Sequence, residues 1–194
     1  HYGLIAPTNE ALDEFVNEKV EELRSVSVQR LIEMIVQSEQ TPAIRIPLDP
    51  LEKVVKGLIR NAIENTPDEG RIEVSVGNTG SQVELIVRDW GVGIAQEDQA
   101  QIFEGFYHTQ DTMQYGSKKP FEFNAGGRGA DLLRMKIFSE QYGFKLSMTS
   151  ERCRHIPLPK DVCPGRISAC GFCKSAEDCY PSGGTTFYVV FPVP

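Results

Sequence analysis

The sequence predicts an α/β fold, because stretches with helical spacing and stretches with strand-like alternation follow one another along its 194 residues. Two stretches carry this prediction. Residues 49–66 place apolar side chains three and four positions apart, and residues 71–88 alternate on both sides of a glycine-containing turn. The length and the 40% content of hydrophobic residues fit one globular domain with at most a small appendage.

Composition limits the partners of the chain. A formal net charge of -7 disfavours a nucleic-acid-binding surface and a polybasic membrane patch. No apolar run approaches the length that spans a membrane, and no signal-peptide pattern opens the sequence. We therefore expect no nucleic-acid partner and no direct membrane contact by this domain. A highly charged ligand would need backbone amides, a metal ion and a few basic side chains.

The first quarter of the chain is predicted to alternate between helix and strand. Apolar spacing indicates a helix from Thr8 to Leu23, interpreted as a linker or packing helix. Residues 24–28 alternate as a short strand, and residues 29–40 return to helical spacing. Residues 43–48 are predicted to form a second strand, close to a sheet edge because it contains proline.

A long helix is predicted after this strand. Asp49 is expected as its N-cap, and the helix ends before Pro67. Since positions three and four apart are neighbours on a helix, one polar face collects Asn61, Glu64 and Asn65. Asn61 offers an amide oxygen, a hard ligand of the kind that Mg²⁺ accepts. A helix-surface or capping amide is the alternative interpretation.

The remaining elements complete the predicted sheet and its helices. They are strands over 71–76, 81–88, 144–149 and 185–191, and helices over 95–103 and 130–142. Gly143 is expected as the C-cap residue of the last helix.

The stretch Asp-Trp-Gly-Val-Gly-Ile, residues 89–94, follows a buried strand and suits a nucleobase resting on backbone. The Asp89 carboxylate can accept a hydrogen bond from an exocyclic amine. Gly91 and Gly93 lack the Cβ atoms that would block close approach of the base and ribose. An ordinary turn between a strand and a helix is the alternative.

Residues 104–125 show no period, which is typical of a functional lid or of a disordered stretch. Gly127, Arg128 and Gly129 then precede a helix, where free N–H groups and the positive helix end can face phosphates. Arg128 is interpreted either as a phosphate contact or as a solvated lid arginine.

Together these segments resemble the ATP-binding catalytic domain of bacterial sensor histidine kinases, in the superfamily that includes the gyrase, Hsp90 and MutL ATPases. Residues 58–67 resemble the N box, 89–94 the first glycine box, 102–107 the F box, 127–132 the second glycine box and 184–187 the closing strand. The resemblance covers about residues 24–150 and 183–194. It implies the Bergerat fold, a two-layer α/β sandwich whose mixed sheet carries helices on one face, with ATP and Mg²⁺ under a lid.

The resemblance also implies roles for individual residues. Asn61 would hold Mg²⁺ and is the residue assigned a catalytic role. Asp89 would accept a hydrogen bond from the adenine amine. Thr185 would reach adenine through a water molecule, with an ordinary strand threonine as the alternative. The residues expected at the nucleotide are Asn61, Asn65, Asp89, Gly91, Gly93, Ile94, Gly127, Arg128, Gly129 and Thr185.

Two positions depart from the family pattern. One turn before Asn61, where relatives carry a polar residue or a catalytic Glu, this chain has Gly57. Glycine cannot act as a general base, so ATP hydrolysis of the gyrase type is not expected, whereas phosphoryl transfer depends mainly on positioning. After the F box, His108 stands where a basic residue is usual, with Lys118 and Lys119 as alternative lid cations.

The chain lacks a recognisable phosphoacceptor motif of the form His-Glu-x-x-x-x-Pro. We therefore expect the accepting histidine on an upstream dimerisation domain, with residues 1–23 as a linker from it and residues 24–194 as the ATP-binding domain. The resemblance further implies a response regulator as partner, a homodimer in the full-length parent and a cytoplasmic location.

All five cysteines lie in the last quarter of the chain, at residues 151–183, where the family usually has a tight turn. One C-x2-C pair with two more cysteines nearby can form a tetrahedral zinc site, and the favoured ligands are Cys163, Cys170, Cys173 and Cys179. An iron–sulfur centre, a thiol/disulfide pair and loose cysteines remain alternatives. The insertion is interpreted as a sensing or docking device beside the ATP site.

The sequence thus predicts the catalytic domain of a two-component sensor histidine kinase, which passes the γ-phosphoryl group of ATP to a histidine on another domain. Three alternatives stay open. They are a degenerate ATP-binding signalling module without phosphotransfer, an anti-sigma-factor-type serine kinase, and a metal- or redox-sensing interaction module.

Overall fold

The computed structural model describes residues 6–104, 118–125 and 128–194, with residues 128–130 described by their backbone alone. The strands in these ranges are β1 (Pro7–Ala11), β2 (Glu33–Ser38), β3 (Ala43–Pro47), β4 (Arg71–Asn78), β5 (Gln82–Asp89), β6 (Lys145–Glu151) and β7 (Gly184–Pro192). The helices are α1 (Leu12–Val26), α2 (Leu48–Asn65), α3 (Gln96–Gln99), α4 (Arg128–Tyr142) and α5 (Ala176–Cys179).

Five strands form a mixed sheet in the order β2-β4-β5-β7-β6. The β2–β4 pair is parallel, and the other three pairs are antiparallel. Strands β1 and β3 form a separate antiparallel pair, which agrees with the edge position predicted for β3 from its proline. The predicted mixed α/β sheet is therefore confirmed.

The sheet buries one face. Strands β4, β5 and β7 alternate buried and more exposed residues, and the buried set is Ile72, Val74, Val76, Val83, Leu85, Val87, Phe187, Val189 and Phe191. These side chains share one apolar core with residues of helices α1, α2 and α4. Because successive strand residues point to opposite faces, the helices lie on one side of the sheet, as the two-layer prediction requires.

Helix α1 belongs to this core. Its buried apolar residues are Leu12, Phe15, Val16, Val20 and Leu23, and none of them is more than 6% exposed. The helix thus packs as part of the α/β unit. The assignment of residues 1–23 to a linker from an upstream domain stays a prediction.

Two predicted elements near the N-terminus were wrong. Residues 24–28 do not form a strand, because α1 continues to Val26, and residues 29–40 do not form a helix but contain strand β2. Short apolar runs such as Met34 to Val36 do not distinguish helix from strand by spacing. Residues 33–38 form a strand because they pair with β4, with Glu33 opposite Arg71 and Ser38 opposite Val76.

Smaller corrections concern helix ends. The helix predicted from Thr8 to Leu23 begins only at Leu12, since residues 7–11 form β1, and it continues to Val26. The short helix predicted over 95–103 is regular only at Gln96–Gln99. Asp49 is not the N-cap of α2, since the helix begins at Leu48, and its carboxylate instead pairs with Lys53 at 2.9 Å one turn later. Gly143 has φ 74° directly after α4, as expected of a C-cap glycine. No helix in the described ranges has the length and apolar character needed to cross a membrane.

Candidate nucleotide-binding site

The glycine loop after β5 is docked on the end of helix α2. The backbone N–H of Val92 donates to the carbonyl of Asn65 at 3.1 Å, and a Cβ on Gly91 would overlap that same carbonyl. The Asp89 carboxylate, which is 2% exposed, accepts from the N–H of Gly91 at 2.9 Å. The structure therefore brings together Asn65, Asp89 and Gly91, which the sequence had placed at the nucleotide.

The rest of the loop is fixed by strands β6 and β7. Gly93 has φ 68°, and a Cβ there would overlap the carbonyl of Glu151. The Ile94 N–H donates to the Ser150 hydroxyl at 2.8 Å, and that hydroxyl lies 2.8 Å from the hydroxyl of Thr185. Thr185 is also the register partner of Asp89, so both stand at the same end of the sheet.

Asn61 lies one turn before Asn65 on α2, about 6 Å along the helix axis. Its side chain is buried, and its Oδ1 atom has no hydrogen-bond partner among the described residues. A buried acceptor of this kind normally finds a partner. It lines a gap of about 10 Å³, together with Glu64 and with Asp131 and Leu132 from the first turns of α4. A hard cation such as Mg²⁺ fits this unused amide oxygen.

A different cavity, of about 800 Å³, is also lined by Asp89. It is bounded by Arg88 and Thr186, which alternate with the buried residues of β5 and β7 and so face away from the helices. The Arg88 guanidinium lies over the Trp90 ring, 4.5 Å from its centroid. The cavity is also lined by Ser150 and Thr185 from the helix side, so it lies at the end of the sheet where Asp89 and Thr185 stand, and Asn61 does not line it.

Residues 118–125 cover the polar face of α2. The Phe121 N–H donates to the buried Glu64 carboxylate at 2.9 Å, and the Asn124 N–H donates to the Glu64 carbonyl at 2.7 Å. Glu64 is also paired with Arg60 at 2.9 Å, and the Arg60 guanidinium lies over the Phe121 ring. The end of the predicted lid is therefore attached to the helix that carries Asn61 and Asn65.

Arg30 connects the end of α2 to residues 118–125, and the sequence analysis did not identify it. Its guanidinium donates to the carbonyls of Ile63, Thr66 and Phe121 at 2.9, 2.6 and 2.7 Å and pairs with Asp68 at 2.8 Å. The last carbonyls of a helix lack intrahelical partners and form the negative end of the helix dipole. A cation there is therefore favoured both as a hydrogen-bond donor and by its charge. Nothing in the local sequence marks Arg30, because its acceptors are distant along the chain.

Several residues predicted near the phosphates or in the lid lie partly or wholly outside the described residues. Gly127 and His108 lie outside the described residues, and Arg128 and Gly129 are described only as backbone in the first turn of α4. Lys118 donates to the carbonyl of Phe123 at 2.9 Å. The roles predicted for these residues stay predictions.

Gly57 faces α4. A Cβ at this position would meet the terminal methyl of Met135, which is the end of a flexible side chain, and no described backbone atom of another element lies within 4 Å of it.

The cysteine segment, residues 152–183, connects β6 to β7 and contains five free thiols. Burial raises the pKa of the Cys179 thiol to about 12 and that of Cys173 to about 11, with further contributions from neighbouring thiols. Within the described parts of the chain, no group of three or more His, Cys, Asp or Glu side chains is arranged to hold a metal ion. The predicted zinc site is therefore not shown.

Known proteins with similar sequences include sensor kinases. The chain is 28% identical over 130 residues to the alginate biosynthesis sensor protein KinB of Pseudomonas aeruginosa, covering 67% of this chain and 19% of KinB. It is 30% identical over 125 residues to the adaptive-response sensory kinase SasA of Gloeothece citriformis, covering 62% and 30%. The sensor protein kinase PmrB of Pseudomonas aeruginosa is 35% identical over 91 residues, covering 47% and 19%. The chain spans less than a third of each of these relatives.

Solved structures share the fold. The mycobacterial sensor histidine kinase MprB matches with a TM-score of 0.64 and 19% identity, covering 96% of this chain and 97% of that one. Full-length ShkA in complex with AMPPNP matches with a TM-score of 0.66 and 17% identity, covering 98% and 32%. The family profile described as histidine kinase-, DNA gyrase B- and HSP90-like ATPase matches residues 47–194. The chain therefore belongs to the family of histidine kinase-, gyrase B- and HSP90-like ATPases.

Proposed function

We propose that this chain is the ATP-binding catalytic domain of a sensor histidine kinase, which transfers the γ-phosphoryl group of ATP to a histidine on a separate domain. The observation that carries the proposal is the buried Oδ1 of Asn61, which has no hydrogen-bond partner in the described part of the chain and lies one helical turn from the glycine loop after Asp89. Family membership and the sensor kinases among the relatives support the same activity.

Each end of the site has its own task in this proposal. Asp89 accepts from the exocyclic amine of adenine, and the absence of side chains at Gly91 and Gly93 lets the loop after Asp89 pack against Asn65 and Glu151. Asn61 supplies an oxygen ligand to Mg²⁺, and free N–H groups at the start of α4 face the phosphates. Bound Mg²⁺ would neutralise charge that develops on the transferred group. The chain itself positions and orients the nucleotide.

The partners belong to the proposal as well. A structure with this fold, histidine kinase ThkA, is described in complex with the response regulator protein TrrA, with a TM-score of 0.63 and 16% identity, covering 97% of this chain and 42% of that one. By analogy we propose a response regulator as partner. We also propose an upstream phosphoacceptor domain, a homodimeric parent protein and a cytoplasmic location.

Two measurements test the function. Titration with ATP and Mg²⁺ compares the wild type with Asp89→Asn and with Glu97→Gln, a matched carboxylate-to-amide change at an exposed position of α3. We expect Asp89→Asn to weaken ATP binding by at least about tenfold, since a buried acceptor for the amine becomes a mixed donor and acceptor. Equal affinity of all three proteins contradicts the adenine assignment.

The second measurement is transfer of labelled phosphate from ATP in the full-length parent. Label that is acid-labile and lost on replacing a histidine upstream of this domain supports the kinase. ATP binding without transfer supports the degenerate signalling module instead, which Gly57 also favours because no side chain stands one turn before Asn61.

A further inference from the structure

A row of three polar side chains crosses the sheet at the end that holds Asp89. Asp89 of β5 stands opposite Thr185 of β7, and Thr185 stands opposite Ser150 of β6. Opposite residues of antiparallel strands point to the same face of the sheet. Phe187, two residues after Thr185, is buried in the core, so the row points toward the helices. All three residues line the cavity of about 800 Å³ at this end of the sheet.

Hydrogen bonds to the glycine loop and to α3 fix Ser150 in this row. The Ser150 hydroxyl accepts from the Ile94 N–H at 2.8 Å, and the Ser150 carbonyl accepts from the Gln99 side-chain amide at 2.8 Å. The same Gln99 nitrogen donates to the carbonyl of Ile94, also at 2.8 Å. The Gln99 side chain thus ties the end of the glycine loop to β6, and the Ser150 hydroxyl is held beside Thr185.

The single hydroxyl proton of Ser150 has two acceptors within reach. The Thr185 hydroxyl oxygen lies 2.8 Å from the Ser150 hydroxyl oxygen, whereas the Gly184 carbonyl lies 3.1 Å from it. Hydrogen bonds between oxygens are most often about 2.7–2.8 Å long, so the shorter contact favours donation from Ser150 to Thr185. The Thr185 oxygen then accepts from Ser150, and the proton of Thr185 is available to a ligand in the cavity.

We propose that Ser150 is a positioning residue, which turns the Thr185 proton toward the nucleotide and so sets the choice of purine base. This role rests on the proposed binding of ATP at Asp89. On adenine the exocyclic amine donates, and the neighbouring ring nitrogen N1 accepts. Asp89 and Thr185 offer the complementary pair, an acceptor beside a donor. A water molecule between Thr185 and the base keeps this polarity, since it accepts from Thr185 and gives its own hydrogens to N1 and Asp89.

Hypoxanthine, the base of inosine triphosphate, reverses both groups on this edge. Its oxygen O6 accepts and its N1–H donates, so acceptor would meet acceptor at Asp89 and donor would meet donor at Thr185. A site built for one hydrogen-bond pattern rejects the opposite pattern because buried polar groups are left unpaired. Without the Ser150 hydroxyl, the Thr185 hydroxyl can rotate and accept from N1–H. Loss of Ser150 should therefore weaken the discrimination between the two bases.

The test measures dissociation constants for ATP and for inosine triphosphate, both with Mg²⁺. We expect the wild type to prefer ATP by at least about 100-fold, and Ser150→Ala to reduce this preference by about tenfold. Ser150→Thr keeps a hydroxyl and should keep the preference. The control is Ser147→Ala, at an exposed position of the same strand, which should match the wild type. If Ser150→Ala does not fold, Ser150→Cys, with its weakly donating thiol, takes its place.

Because Ser150 is proposed to act through Thr185, the two residues should not act independently. Thr185→Val should lose the same part of the preference, and adding Ser150→Ala to it should change the preference no further. Additive losses overturn the proposed role. So does equal weakening of both nucleotides by Ser150→Ala, which would mean that Ser150 only holds the glycine loop. ATP binding with an unchanged preference overturns this role alone, whereas a wild type that binds no ATP overturns the proposed function as well.

Discussion

Asn61 is buried although its amide oxygen has no partner among the described residues, which costs about 1–3 kcal/mol in the absence of a ligand. We predict that Asn61→Ala leaves the free energy of unfolding of the nucleotide-free domain unchanged or raises it slightly. The same variant should bind ATP about tenfold more weakly in Mg²⁺, but equally in the presence of a chelator. Denaturant unfolding and calorimetric titration measure the two effects.

The control for Asn61 is Asn78→Ala at the exposed end of β4, where the side chain accepts from the Gly80 N–H. It should leave ATP binding unchanged. A large loss of stability in Asn61→Ala, together with normal Mg²⁺-dependent binding, would show that Asn61 is a structural amide.

Gly93 and Gly80 both have left-handed backbone, at φ 68° and 88°, but only Gly93 faces another chain segment. We predict that Gly80→Ala costs about 1–2 kcal/mol of unfolding free energy, from backbone strain alone. Gly93→Ala should cost more than about 3 kcal/mol, because its Cβ would overlap the Glu151 carbonyl. Urea midpoints compare the two, and equal costs would mean that the loop can move away from β6.

Among individual residues, the sequence predicted those that belong to a local motif and missed those whose contacts lie far along the chain. Asp89, Gly91 and Asn65 were placed together because their boxes have a recognisable pattern, and the structure shows them in contact. Arg30 has no such pattern, since its acceptors at Ile63 and Phe121 are brought to it only by the folded chain.

Helices and strands show the same difference between local patterns, which the sequence predicts, and distant contacts, which it does not. Helix α2 is long and strongly amphipathic, so its position could be predicted to within two residues. Strand β2 is six residues long, and its identity depends on parallel pairing with β4, more than thirty residues later. Apolar spacing contains no information on that pairing, which explains why the stretch was predicted as a helix.

Arg30 joins three elements, the end of α2, the loop at Asp68 and the lid end at Phe121. We predict that Arg30→Ala lowers the free energy of unfolding by about 3–5 kcal/mol, because Asp68 loses a buried partner and three carbonyls lose a donor. Hydrogen exchange should accelerate most at the amides of Phe121 and Asn124, which bond to Glu64.

Arg24→Ala is the matched control for Arg30→Ala. Arg24 also donates to one carbonyl, that of Met34, but its side chain is 39% exposed and its ion pair with Glu21 is on the surface. The expected cost is about 1 kcal/mol. Unchanged exchange at residues 118–125 in Arg30→Ala would mean that the lid end is held by Glu64 alone.

In the molecule as a whole, the folded unit extends beyond the residues that the family profile matches. The family profile begins at residue 47, yet α1 and β2 precede it and pack with the matched part: α1 enters the common core, and β2 pairs with β4. A sequence profile follows the boxes that bind nucleotide, whereas the physical domain is bounded by the apolar surface that must be covered. The two limits need not coincide.

Removing α1 therefore tests whether residues 1–23 are a linker. Its five buried apolar side chains contribute on the order of 10 kcal/mol, as much as the whole stability of a typical domain. We predict that a fragment of residues 27–194 shows no cooperative unfolding transition by circular dichroism. A fragment of residues 6–194, which keeps every element that the structure describes, should unfold like the full chain. Should the shorter fragment unfold cooperatively at the same urea concentration, α1 packs without stabilising the domain, and the linker interpretation is the correct one.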